Sequence, residues 1–239
     1  MSELRTEKLC ISFGGLKATN NVDFHLKSGD IVGIIGPNGA GKTTLINLIA
    51  GIHAPSSGKI YLDDVDITNI PTHIRAAMGI GRTFQLIHPL ENLTLIENVM
   101  TGFIFARKMS VPEARIAAIE LCLEMGLERL NRSTANLNIL EIKKMEIAKA
   151  LATDPKILFL DEVMAGLNSD ESKEVIALIK DIALRKSLAV GVVEHVMGVI
   201  SSLTNRVIVL DNGILIAQGP YTEVSKNERV RTAYLGGAE

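Results

Sequence analysis

The chain has 239 residues, 47% of them hydrophobic, with 25 Lys and Arg against 27 Asp and Glu for a formal net charge of -2. That apolar share supports a buried core and leaves little room for disorder. The near-neutral balance, 4% aromatics and absence of Trp argue against a nucleic-acid partner. Cys10 and Cys122 make neither a disulfide framework nor a zinc spacing, and both read as reduced core residues. No apolar run reaches the ~18 residues of a membrane span, and the start lacks a signal-peptide stretch. The expectation is a cytoplasmic protein that meets a membrane only through a partner.

Taken in chain order, the first 65 residues read mostly as strands: Lys8 to Phe13, Val22 to Leu26, Ile31 to Ile35 and Lys59 to Leu62. A helix from Lys42 to Ala50 stops at Gly51, and a short one follows from Pro71 to Met78. Residues 90–150 are helix-rich, with one helix opened by Pro112 and ending near Gly126, and another from Ile139 to Ala152. Lys143 and Lys144 on the latter read as a solvated face. Ile157 to Leu160 and Leu188 to Val193 are continuously apolar, the mark of strands buried on both faces of a parallel sheet. Between them Asn168 to Arg185 is a helix with an N-x-x-E cap. Val207 to Leu210 and Ile214 to Ala217 flank Asp-Asn-Gly, a hairpin signal.

Residues 36–44 read G-P-N-G-A-G-K-T-T, between an apolar strand and a helix, which is the context a phosphate loop requires. Gly36, Gly39 and Gly41 let backbone N–H groups converge on phosphates, with Pro37, Asn38 and Ala40 completing the loop. The helix N-terminus adds partial positive charge. Lys42 can reach the β- and γ-phosphates, Thr43 can ligate Mg2+ and Thr44 can reach the α-phosphate. The run I-L-F-L-D-E at 157–162 ends an apolar strand in two acids. Asp161 then supports Mg2+, and Glu162 faces the γ-phosphate, where it can polarise water. His195, just past the next core strand, sits where α/β proteins bind ligands.

The order of Phe13, the 36–44 loop, Gln85, a signature-like stretch at 137–141, Asp161-Glu162 and His195 resembles the ATP-binding cassette (ABC) ATPases over essentially the whole chain. Within that family it is most similar to ATPase subunits of branched-chain amino-acid importers. G-I-G-R-T-F-Q at 79–85, A-G-L-N at 165–168, V-E-H at 193–195 and A-Y-L-G at 233–236 carry this second likeness. The resemblance implies an α/β P-loop NTPase core with an antiparallel β subdomain (1–89 and 151–239) and an inserted helical subdomain (90–150). It implies that Phe13 stacks on adenine, although the residue reads also as plain packing. Gln85 would touch Mg2+ or water, Asp161 support Mg2+, Glu162 act as base and His195 as γ-phosphate switch. Residues 165–168 would meet a partner cassette. ATP and Mg2+ are the implied ligands. The implied partners are a second ABC ATPase, two permease subunits docking near Gln85 to Pro89, and indirectly an extracytoplasmic binding protein. The place would be the inner face of the cell membrane. His73 and His88 lack motif support, and Arg82 receives no role.

The signature departs from the family's L-S-G-G-Q: residues 137–141 read L-N-I-L-E. Asn138 and Glu141 still make a capping box, so the helix starting at Ile139 should form. But Leu140 puts bulk where Gly allows approach, and Glu141 puts a negative charge near a phosphate. At an effective dielectric of ~20, two unit charges about 4 Å apart repel by ~4 kcal/mol. The composite site closed by this stretch is expected to be weak, and the one on this chain's own phosphate loop active. Val163 and Val196 replace the usual Pro and Asp and read as subfamily marks. A low-activity nucleotide-binding regulator and a transporter ATPase for urea or amides are the alternatives. A non-transport cassette lacks its coiled-coil arm here, and a P-loop kinase would lack the Asp-Glu pair with its following His.

Overall fold

The computed structural model describes residues 2–85 and 89–235. Strands β1 (Glu3–Phe13), β2 (Leu16–Val22) and β3 (His25–Lys27) lead into β4 (Ile31–Ile35), and helix α1 (Lys42–Ile49) follows the phosphate loop. Next come β5 (Ser57–Leu62), β6 (Val65–Asp66), α2 (Thr72–Met78) and β7 (Ile80–Arg82). Three helices run in succession: α3 (Leu95–Phe105), α4 (Val111–Glu124) and α5 (Ile139–Leu151). The chain then alternates through β8 (Ile157–Asp161), α6 (Ser169–Arg185), β9 (Ala189–Val193) and α7 (Met197–Leu203). It closes with β10 (Arg206–Asp211), β11 (Ile214–Gly219), α8 (Tyr221–Val224) and α9 (Glu228–Leu235).

Six strands form one sheet in the order β11-β10-β4-β9-β8-β7, parallel except for the β10–β11 hairpin. Every residue of β4, β8 and β9 is buried, as their continuous apolarity requires. Alternate residues serve opposite faces. Leu158, Leu160, Val190 and Val192 pack with α3, α4, α5 and α6. Ile157, Phe159, Ile34 and Val193 pack with α1 and the second sheet. That sheet has the path β2-β1-β5-β6 with β3 also on β1, all antiparallel.

The strand read at Val22 to Leu26 is broken in the structure. Val22 ends β2 opposite Leu9, whereas His25 begins β3 opposite Arg5. The break lies where β1 shifts register and where Lys8 and Asn21 take positive φ. Lys143 and Lys144 are not a solvated face: both are buried, because α5 is covered on nearly every side. Cys122 is a core residue whose burial pushes its thiol up to about 12, while Cys10 is only half-buried.

One residue the sequence did not single out holds the phosphate-loop helix in place. Arg75 is among the largest fully buried side chains, and all its nitrogens meet carbonyls. Nη1 donates to Leu48 O and Ile49 O at the end of α1, both at 2.7 Å. Nη2 donates to Thr68 O at 2.8 Å and Nε to Ile70 O at 2.7 Å. A cation at a helix C-terminus satisfies orphan carbonyls and opposes the helix dipole.

Candidate nucleotide site

Strand β4 delivers the loop 36–41 to the N-terminus of α1. Gly36 has φ 150°, and a Cβ there would lie 2.1 Å from Leu210 O, so only Gly fits. Gly41 caps α1 at φ 97°, and a Cβ would meet Ala18 O at 2.3 Å. Lys42 is buried and folds over the loop, its Nζ donating to Gly36 O at 2.8 Å and Pro37 O at 2.9 Å. Burial pulls its pKa below the usual lysine value, against the opposing pull of Glu162 and Asp161.

A cleft of about 290 Å³ opens over this loop. Its walls include Asn38 to Thr44, with Gln85, Glu162 and His195 opposite and Leu16 to Ala18 at one side. Residues distant in sequence and expected to act together are thus gathered in one place. Phe13 is not in that wall. Its ring turns edge-on to His53 at 5.3 Å and is 46% exposed, and Leu16 takes the apolar position.

Glu162 has φ 51°, a left-handed conformation that is uncommon for a non-glycine residue. Its N–H donates to Val193 O at 2.9 Å, and its Oε1 lies 2.8 Å from His195 Nε2. Asp161 is 1% exposed, and neither carboxylate oxygen has a hydrogen-bond partner among the described residues. Burial raises its pKa, opposed by Arg82 and reinforced by Glu162. Unpaired buried oxygens beside a phosphate loop are the donor set that a hard cation and its waters would complete. Among the described residues no three His, Cys, Asp or Glu are placed to hold a metal ion by themselves. Mg2+ takes one or two protein oxygens and fills the rest of its shell with phosphate and water.

Arg82, given no role from the sequence, is the counter-ion of this site. Its Nη2 lies 3.7 Å from Asp161 Oδ2, and its Nη1 donates to Asn47 Oδ1 at 2.5 Å. No signal in the sequence marked it; beside it the Thr83 hydroxyl accepts the Asp161 N–H at 3.0 Å.

The ABC transporter family model matches residues 19–165. The chain belongs to the ABC transporter family. A second model, described as branched-chain amino acid ATP-binding cassette transporter, matches residues 215–239 of this ABC chain. The chain is similar to the high-affinity branched-chain amino acid transport ATP-binding protein LivG of Escherichia coli K12, 36% identical with 98% of each chain covered. It is also similar to the lipopolysaccharide export system ATP-binding protein LptB of the same organism, 34% identical over 99% of this chain and 98% of that one. Among solved structures it resembles MJ1267, an ABC cassette in its ADP conformation, with TM-score 0.88, 30% identity and 99% of each chain covered.

In this ABC chain the stretch 137–141, where the signature is expected, opens α5. Asn138 accepts the Glu141 N–H at 2.8 Å, and Glu141 Oε2 accepts the Asn138 N–H at 3.0 Å. The capping box read from the sequence is present. Glu141 also pairs with Arg132, which holds its carboxyl below the usual range and keeps it ionised. Leu140 does not protrude as expected: it is partly buried against the core. Ile139 is the exposed side chain, 54% accessible, and its methyls approach Gly166. Ala165, Gly166 and Asn168 are exposed, and Asn168 caps α6. Of the expected docking segment, Gln85 and Pro89 are described. Residues 86–88, with His88, and Gly236 of the tail lie outside the described residues.

Proposed function

We propose that this ABC ATPase powers uptake of branched-chain or other hydrophobic amino acids. The observation that carries the catalytic part is one cleft joining Lys42, Thr43, Gln85, Glu162 and His195 beside the buried Asp161, whose oxygens have no hydrogen-bond partner among the described residues. ATP would lie with its phosphates on the 36–44 backbone, Lys42 leaving its loop carbonyls for the β- and γ-oxygens. Thr43, Gln85 and Asp161 would hold Mg2+, which supplies charge neutralisation on the β- and γ-phosphates when bound. Glu162, aimed by its own main chain and by His195, would accept the proton of the attacking water. His195 would report the γ-phosphate. Adenine would rest toward Leu16, with Phe13 at the margin.

A second cassette would supply a signature helix to this site. This chain's own segment, Asn138 to Glu141, spends the Asn138 and Glu141 N–H groups on its own capping box and presents Ile139. The opposite composite site would therefore be weak. Permease subunits would seat in the groove between α2, β7, α3 and α5, where Ile52, Phe84 and Phe105 are exposed. The groove, with no membrane-crossing helix among the described residues, supports a peripheral place on the membrane's inner face. The match at residues 215–239 favours amino-acid cargo over lipopolysaccharide. The test is co-expression with candidate permeases and a second cassette, then uptake of labelled leucine into vesicles. ATP-dependent leucine uptake supports the reading, and uptake of urea or amides alone overturns the cargo.

A further inference from the structure

Lys143 lies on α5, the helix that begins near residues 137–141, yet it reaches the main chain of this chain's own Glu162. It is 6% exposed, and its Nζ donates to the main-chain oxygen of Glu162 at 3.0 Å. Among the described residues that is its one hydrogen bond, and no carboxylate lies within ion-pair distance. Burial penalises its ammonium, and the nearby Glu194, Glu162 and Glu146 carboxylates offset part of that penalty without forming an ion pair. What the lysine does achieve is positional. Glu162 sits in a left-handed backbone conformation that must be imposed by its surroundings. Three contacts from three places impose it: Val193 O on its N–H, Lys143 on its carbonyl, and His195 on its carboxylate.

A second buried charge acts two residues on. Glu194 is 4% exposed, and its Oε1 accepts the Met164 N–H at 2.8 Å. The turn 162–164 is thus held at its start by a buried cation and at its end by a buried anion. Beyond it the chain runs into the exposed residues Ala165 and Gly166.

We propose that Lys143 is a positioning residue for ATP hydrolysis, which with Glu194 clamps the turn 162–164 and so ties the signature helix to the Glu162 carboxylate of the same chain. The proposal rests on the ATPase reading above. It gives the degenerate half-site a purpose, since whatever pushes on the N-terminus of α5 reaches this chain's own base through Lys143, one turn along.

The experiment compares the transporter assembled with its second cassette, carrying the wild-type chain, Lys143→Met or Lys143→Arg, in amide hydrogen exchange, fluorescent-ATP binding and single-turnover hydrolysis. Lys143→Met is expected to raise exchange at residues 162–168 roughly tenfold, with ATP affinity within about twofold and hydrolysis down roughly tenfold. Lys143→Arg is expected to recover both exchange protection and turnover. Unchanged exchange in this turn overturns the clamp. So does a parallel loss of ATP affinity and turnover with exchange raised across the whole chain, which marks a merely structural role. A wild type that binds no ATP would remove the ATPase reading, while the exchange comparison would still decide the clamp.

Discussion

Arg82 places its guanidinium 3.7 Å from the buried Asp161 carboxylate while its face lies over the Phe84 ring at 4.5 Å. One cation therefore touches the cleft side through Asp161 and the exposed groove side through Phe84. Removing it leaves an uncompensated buried charge. Arg82→Met is expected to destabilise the chain by about 3 kcal/mol in urea unfolding. The double variant with Asp161→Asn should lose less than the single one, because the stranded charge is gone.

Burial raises the Asp161 carboxyl above its ordinary value of 3.8. Below that pH both folded and unfolded chains hold the proton, and there is no penalty. As pH climbs past 3.8 the unfolded chain ionises first, and stability falls until the folded group ionises too. In Mg2+-free, nucleotide-free buffer, Asp161→Asn should therefore melt above wild type at pH 7. The gap should close toward pH 4. Calorimetry across that range checks it, and an equal or lower melting point at pH 7 contradicts it.

The phosphate loop was legible in the sequence because its parts are contiguous: strand, glycines, Lys and helix follow one another within fourteen positions, from Ile31 to Thr44. Asp161 and Glu162 were legible because an apolar strand announces them. Arg75, Arg82, Lys143 and Glu194 were not. Each is a charged residue whose partner lies in another element, and a charge in sequence reads as solvent-facing unless its counterpart is known. The Lys143-Lys144 pair shows this best, since its helix is enclosed by the sheet and by neighbouring helices that sequence periodicity cannot place. The strand break at Asp23 and Phe24 was hidden for a related reason. The Thr6 hydroxyl donates to Val22 O and accepts the Phe24 N–H, so a side chain from β1 bridges the gap.

Arg75 closes four carbonyls that no other residue reaches with the same fork. Arg75→Met removes these bonds, leaving Leu48 O with only the Gly51 N–H and Ile49 O, Thr68 O and Ile70 O without this donor, and should cost about 3 kcal/mol. Arg75→Lys should recover only part, since an ammonium lacks the planar geometry. Thermal unfolding of the three chains ranks them.

Gly36→Ala should abolish nucleotide binding. Its Cβ would sit 2.1 Å from the Leu210 carbonyl, so the loop must move away from the sheet. Isothermal titration with ATP should show at least about a hundredfold weaker binding, with helix content by circular dichroism unchanged.

Glu162 is proposed as the base of an active site on this chain's phosphate loop, completed by a different cassette. Glu162→Gln keeps the side chain's size and its bond to His195 while removing the base. The most direct measurement is steady-state ATP turnover of the assembled transporter with this substitution in either cassette. Glu162→Gln should lower turnover by about a hundredfold or more with ATP still bound, and the corresponding change in the partner should leave much of it. Turnover that survives Glu162→Gln and disappears with the partner's change would contradict the account.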